Sequence, residues 1–220
     1  MTLLKEFCAE NVEHVPAAIA AGAGRIELCD NLAVGGTSPS YGVVKAAVAY
    51  AHAHGAAVMA MARPRGGDFA YTEAELAMMA DDISVACELG ADGVVFGCAR
   101  EGKLDVPATE ALLATVRAGE QARGSHVDVT FHMAFDAIDA SEQFDAIDWL
   151  AAHGVTRILT HGGTAGTPIE GNLPRLSELI AHAAGRLTIL PGAGINWENC
   201  ERIADALGVS ELHGTKIVRI

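Results

Sequence analysis

A (β/α)₈ TIM barrel is the fold class this sequence predicts, and three observations predict it. Short apolar runs alternate with Ala- and Leu-rich stretches of helical period. The unit recurs about every 30 residues, the size of one βα unit with short loops, and it recurs eight times. Half of the 220 residues are hydrophobic while aromatics make up 5%, so small aliphatic side chains fill a core that covers both faces of parallel strands. The rival is an open doubly wound sheet. It would place a glycine-rich dinucleotide turn after the first strand, and Cys8-Ala9-Glu10-Asn11 has no glycine there. No linker or charge run divides the chain, which reads as one domain over 1–220.

Strands are predicted at 3–8, 25–29, 56–63, 92–96, 127–132, 156–160, 187–191 and 211–214. The first helix, 12–21, carries Val12, Val15, Ala18 and Ile19 at helical spacing. The second, 41–53, follows a loop ending Pro39-Ser40 that supplies an N-cap, and it stops before Gly55. The third, 72–89, opens on the capping pattern Thr72-Glu73-Ala74-Glu75 and ends at Gly90. The fourth, 107–118, opens on Pro107. The fifth, 141–152, begins Ser141-Glu142 and ends at Gly154. The sixth covers 173–183 and the seventh 197–207, the latter with Asn196 as N-cap and Gly208 as stop. Only Thr215–Ile220 follow the last strand, so the barrel lacks a full eighth helix. A partner subunit or a shifted neighbouring helix is expected to cover the strand 8 to strand 1 seam.

Charge and cysteine usage exclude several function classes. A formal net charge of −13 opposes general binding to nucleic acid or anionic membrane. No run of about 18 uncharged apolar residues suggests a membrane span, and the stretch Met1–Glu6 lacks an apolar signal-peptide core. Five cysteines without a short CxxC pair argue against a disulfide framework and a zinc ribbon. A cytoplasmic protein is the expectation. No nucleophile elbow, Walker loop or HExxH is present.

In such barrels chemistry sits at the carboxyl ends of the strands, and residues two apart share a face. Glu6 with Cys8, and Glu27 with Cys29, therefore point together on adjacent strands. Two thiols there can share a soft ion such as Cu(I) or zinc, or simply pack as a core layer, with the glutamates bound by Arg or Lys. Arg63-Pro64-Arg65-Gly66-Gly67-Asp68 makes an anion site through Arg63, Arg65 and Asp68 plausible chemistry, since guanidinium forks match carboxylate and phosphate. The alternative is an arginine that neutralises Glu27 or Asp68. His132 shares a face with Thr130 and can act as acid, base, ligand or structural histidine. His161, the turn Gly192-Ala193-Gly194 and His213 end strands 6, 7 and 8; Gly192 and Gly194 fit a phosphate cradle or a tight turn. Glu27 and His132 are the candidate proton-transfer residues. Cys87 and Cys200 fall in helices and read as packing residues.

At these positions the chain resembles the copper homeostasis CutC family. The runs that carry the resemblance are Arg25–Cys29, Gly35–Ser40, Arg63–Phe69, Gly90–Gly97, Thr130–His132 with Ala134–Asp136, Arg157–Thr160, Pro191–Gly194 and Glu211–Gly214, in the family's order over nearly the whole chain. The resemblance implies the same barrel, a cytosolic location, homo-oligomers such as a dimer or tetramer, and Cu(I) held by cysteines of the first two strands, here Cys8 and Cys29. It delivers no reaction. Two positions depart from the family pattern: Met133 stands where an Arg follows the strand 5 histidine, and His161 where a Ser stands. The short carboxyl terminus is a third departure. Two functions follow, beside a third reading as a structural or interaction module on an enzyme fold. One is a homeostasis protein holding copper at Cys8 and Cys29, with Met61 a soft neighbour. The other is an enzyme acting on a small anionic metabolite, carboxylated or phosphorylated.

Overall fold

The structure is a computed structural model that describes residues 3–164 and 166–220. Met1 and Thr2, which open the stretch read for a signal peptide, lie outside them. Eight parallel strands form a nearly closed barrel: β1 (Leu4–Glu10), β2 (Arg25–Cys29), β3 (Ala57–Met61), β4 (Gly93–Phe96), β5 (Asp128–Phe131), β6 (Arg157–Thr160), β7 (Thr188–Pro191) and β8 (Glu211–Gly214). Their order is β8-β1-β2-β3-β4-β5-β6-β7. Seven helices alternate with them: α1 (Val15–Ala20), α2 (Tyr41–Ala53), α3 (Glu73–Glu88), α4 (Val106–Arg123), α5 (Gln143–Ala152), α6 (Leu173–Ala183) and α7 (Cys200–Leu207). None of them is long and apolar enough to cross a membrane.

Local chemistry sets the helix ends. Ser40 caps α2 by accepting from Val43 N, and Thr72 with Glu75 closes a complete capping box on α3. α4 runs past its expected end at 118 because nothing stops it before Gly124, which takes φ +72° as its C-cap. α7 starts three residues later than expected. Asn196 folds into a turn instead, its Oδ1 accepting from Glu198 N and Asn199 N. Between β4 and α4 a small antiparallel hairpin, Ala99–Arg100 with Lys103–Leu104, was not anticipated. Its turn residues Glu101 and Gly102 both have positive φ, the geometry of a tight two-residue hairpin.

The two faces of the strands build separate cores. Outward residues such as Ile26, Leu28, Val58, Val94 and Ile158 pack beneath the helices in the main core. Inward residues Cys8, Cys29, Met59, Met61 and Val95 form a second cluster inside the barrel.

β8 and β1 are paired in register from Leu4↔Glu211 to Phe7↔Gly214, while β7 and β8 adjoin without a ladder among the described residues. The chain's own last residues pack onto the exterior beside the β8–β1 seam. Lys216 bridges Asn196 and accepts from Trp197 N at 2.8 Å, and Ile217 and Val218 are buried.

Candidate functional site

Strand parity sorts the barrel interior into a floor and a mouth. The floor lies at the amino ends of the strands. Arg25 opens β2 and donates to Glu6 through Nε and to Glu211 through NH2 at 2.7 Å. Arg157 opens β6 and donates to Glu211 at 3.1 Å and to Asp128. Cations and carboxylates thus alternate across the floor. Burial alone would raise the Glu6 carboxyl, but Arg25 and His213 outweigh it and hold it at about 2. Arg25, Arg157, Asp128 and Glu211 escaped the sequence reading, although each begins a strand on the inward side and shares parity with residues that were singled out.

The mouth is a cavity of about 260 Å³ at the carboxyl ends, lined by Cys8, Glu27, Leu32, Met61, Arg63, Phe69, His132, Leu159, Gly194, Ile195 and His213 among others. At its base Glu27 Oε1 lies within hydrogen-bond distance of both sulfurs, 3.4 Å from Cys8 and 3.5 Å from Cys29. These three ligand atoms lie within 4.8 Å of one another. A second set, Glu6, Glu27 and His213, meets the same limit. His213 links floor to mouth: Nδ1 is 2.8 Å from Glu6 Oε1 and Nε2 is 3.9 Å from Glu27 Oε1.

Burial and these neighbours divide the protons. A hydrogen bond from Cys29 holds the Cys8 thiol down at about 5, against burial and with help from His213. The same bond, with burial, pushes Cys29 well up. Burial pushes the Glu27 carboxyl well above the ordinary carboxylate range. Burial opposes charge on His213, but Glu27, Cys8 and Glu6 more than reverse it. Glu27 is held towards its neutral form, because burial dominates and no cation is in hydrogen-bond reach of it. The base is then a thiolate at Cys8, a thiol at Cys29 and a neutral Glu27 whose Oε2 has no partner.

The outer wall is made by Arg63 and His132. Arg63 is 5% exposed. Its NH1 donates to the carbonyls of Val34, Gly35 and Gly36 and its NH2 to that of Gly67, tying the β2 and β3 loops together. Gly66 allows that approach, since a Cβ there would sit 2.6 Å from Val34 Cβ. His132 Nδ1 accepts from Ala134 N at 3.1 Å, so the ring proton sits on Nε2. Burial and the Arg63 charge depress the imidazole to about 3 and keep it neutral. Gly97 gives the ring its room: a Cβ would lie 2.6 Å from Nδ1.

Of the residues singled out from sequence, Cys8, Glu27, Arg63, His132, Gly194 and His213 meet at the cavity, with Cys29 just beneath. Four stand elsewhere. Arg65 pairs with Glu75 and Asp68 in the β3 loop, and Asp68 borders a separate outer hollow. His161 is 1% exposed and braces loops, with Nδ1 3.1 Å from Ala193 O and Nε2 3.0 Å from Thr167 O. Gly192 packs against Leu159 and His213, and its N donates to Thr160 O at 3.0 Å. Cys98 is buried off the cavity, its thiol pushed up to about 12 by burial.

Known proteins resemble the chain along its whole length. The CutC family matches residues 3–218. An Enterococcus faecalis protein described as a family protein CutC is 55% identical, the match covering 98% of this chain and 100% of that protein. The crystal structure of a Streptococcus agalactiae protein, a candidate copper homeostasis protein CutC by name, superposes with TM-score 0.92 at 43% identity and covers 99% of this chain and 100% of that one. An oxaloacetate acetylhydrolase at 13% identity and TM-score 0.68, matched over 97% of this chain and 75% of its own, shares the barrel fold alone. With a full-length family match, a relative at 55% identity and the same barrel in a solved member, this chain belongs to the CutC family.

Proposed function

We propose that this chain is a cytoplasmic copper-homeostasis protein that holds Cu(I) between Cys8 and Cys29. One observation carries the reading: two buried thiols converge on a single carboxylate oxygen, with all three ligand atoms within 4.8 Å. Two sulfurs bonded to one ion at about 2.3 Å each need a separation no greater than roughly 4.6 Å. A small side-chain adjustment meets that limit. The donor chemistry favours a soft ion, because thiolates select Cu(I) or zinc over harder cations. Structural zinc takes four ligands, and this cluster offers two sulfurs and one carboxylate, which suits an ion of low coordination number. Met61 lines the cavity nearby and adds a further soft sulfur. The five cysteines are free thiols, as in a reducing compartment. Homo-oligomers, a dimer or tetramer, are part of this reading, and nucleic acid and membranes are not, given the net charge of −13.

Competition with a chromophoric Cu(I) chelator tests it. The expected result is one ion per chain in the wild type. Cys8→Ser and Cys29→Ser should each weaken binding by more than about 100-fold, beyond the range typical for outer contacts to a metal site. A Cys8→Ser/Cys29→Ser protein that binds Cu(I) as tightly as the wild type overturns the proposal.

A further inference from the structure

The outer wall of the same cavity carries features that a thiol-bound ion does not use. Arg63 is a buried cation without a counter-ion: its four hydrogen bonds go to backbone carbonyls, and no carboxylate pairs with it among the described residues. Carbonyl dipoles spread a full charge without cancelling it, and an unbalanced buried charge is costly. Its Nε–H has no acceptor. His132 supplies a second orphan donor. Nδ1 is committed to Ala134 N, and Nε2, which bears the proton, has no partner. Both side chains rest on the Phe69 ring, Arg63 at 4.9 Å and His132 at 5.1 Å, so the two donors belong to one wall. Both residues line the cavity, so one wall holds a cationic N–H and a neutral N–H, a donor set that matches the two oxygens of a carboxylate.

Charge and size narrow the ligand. The wall offers one cation without a counter-ion, Arg63, and one positive charge matches one carboxylate. A dianion would bring a second negative charge for which the wall has no partner. In the β7 turn Gly192 N is spent on Thr160 O and the carbonyls of Gly192 and Ala193 face His161, so these groups are not offered to an anion. The remaining surface is apolar, with Leu32, Met61, Leu159 and Ile195. At about 260 Å³ the cavity falls below the roughly 300–1,000 Å³ of drug-sized sites.

We infer that the barrel mouth is a binding site for a small monocarboxylate with a short apolar body, gripped by Arg63 and His132. This site goes beyond the metal reading and does not depend on it.

Calorimetric titration of the full chain with acetate, butyrate and inorganic phosphate tests the inference. The Cys8→Ser/Cys29→Ser protein is run in parallel, so that metal binding and carboxylate binding succeed or fail separately. Saturable carboxylate binding is expected in both proteins, with butyrate tighter than acetate and phosphate weaker than either. His132→Phe keeps an aromatic ring and removes the donor, and it should weaken butyrate binding about tenfold or more. Arg63→Lys keeps the charge and loses the planar fork, with a loss of similar size. Should Arg63→Lys fail to fold because its loops come untied, His132→Phe decides the matter. The inference is overturned if no carboxylate binds saturably, if phosphate binds more tightly than butyrate, or if His132→Phe binds butyrate as the wild type does.

Discussion

The floor and the mouth of this barrel are built from the same residue types and treat them oppositely. At the floor, Glu6, Arg25, Glu211, Arg157 and Asp128 compensate one another in an alternating chain, and among the described residues Arg157 NH1 is its one fully buried atom without a partner. At the mouth, Glu27, Arg63 and His132 each keep a buried polar atom without a partner. Buried polar groups are normally satisfied. A satisfied network holds a fold together, whereas a set of orphans around a cavity is arranged for something that binds there. His213 is the joint, touching Glu6 below and facing Glu27 above.

The largest effect should come from breaking the floor. Glu6 is fully buried and its charge is balanced by Arg25 and His213. Glu6→Leu leaves Arg25 with only the partly exposed Glu211, and losing one partner of a buried pair costs about 3–5 kcal/mol. Urea unfolding should show that loss as a lower midpoint. The pH dependence has a definite sign. The folded Glu6 carboxyl sits at about 2 against an ordinary 4.5, so its contribution is complete above about pH 4.5 and fades as pH falls towards 2. The Glu6→Leu protein should lose less stability than the wild type over that interval. A variant as stable as the wild type at pH 7 would mean that the floor is not the structural half.

The barrel was legible in the sequence because βα alternation is a long-range pattern repeated eight times, and the inward residues because strand parity is strict. Cys8, Glu27, Cys29 and His132 follow from that rule, and Arg25 and Arg157 would have followed from it too. They sit at the amino ends of the strands, the face opposite the one where barrel chemistry is expected. Loops have no period, so nothing in Arg63-Pro64-Arg65 tells which guanidinium turns inward. Arg63 turns in because the β2 loop presents three carbonyls to it, while Arg65 meets Glu75 on α3. The packing of Lys216–Val218 onto the exterior was hidden for the same reason: six residues without a pattern do not reveal where they fold.

Thiol chemistry separates the two sulfurs at the mouth. With Cys8 held at about 5 and Cys29 pushed well up, Cys8 is already a thiolate at neutral pH. A lower pKa also makes a weaker nucleophile, so the shape of the pH profile is the useful reading rather than the absolute rate. Iodoacetamide labelling of Cys8, followed by peptide mass spectrometry, should change less than about twofold between pH 6 and 8. A thiol of ordinary pKa gains nearly 100-fold over the same span. A Cys8 profile that climbs tenfold per pH unit would show that Cys29 does not donate to it.

The smallest stability effect should come from the carboxyl most central to the mouth. Glu27→Gln is nearly isosteric. The amide keeps an oxygen for the Cys29 thiol and replaces a protonated hydroxyl with an N–H donor that can face the Cys8 sulfur, and it removes no charge if Glu27 is neutral as its burial dictates. Stability should therefore stay within about 1 kcal/mol of the wild type, against several for Glu6→Leu, when both are measured by the same urea titration at pH 7. Equal losses in the two variants would mean that Glu27 is an ionised partner of His213 and that the floor network extends up to the thiols. A small loss, with Cu(I) affinity lowered in the chelator assay, would instead assign Glu27 to ligand binding and leave the fold to the carboxylates below it.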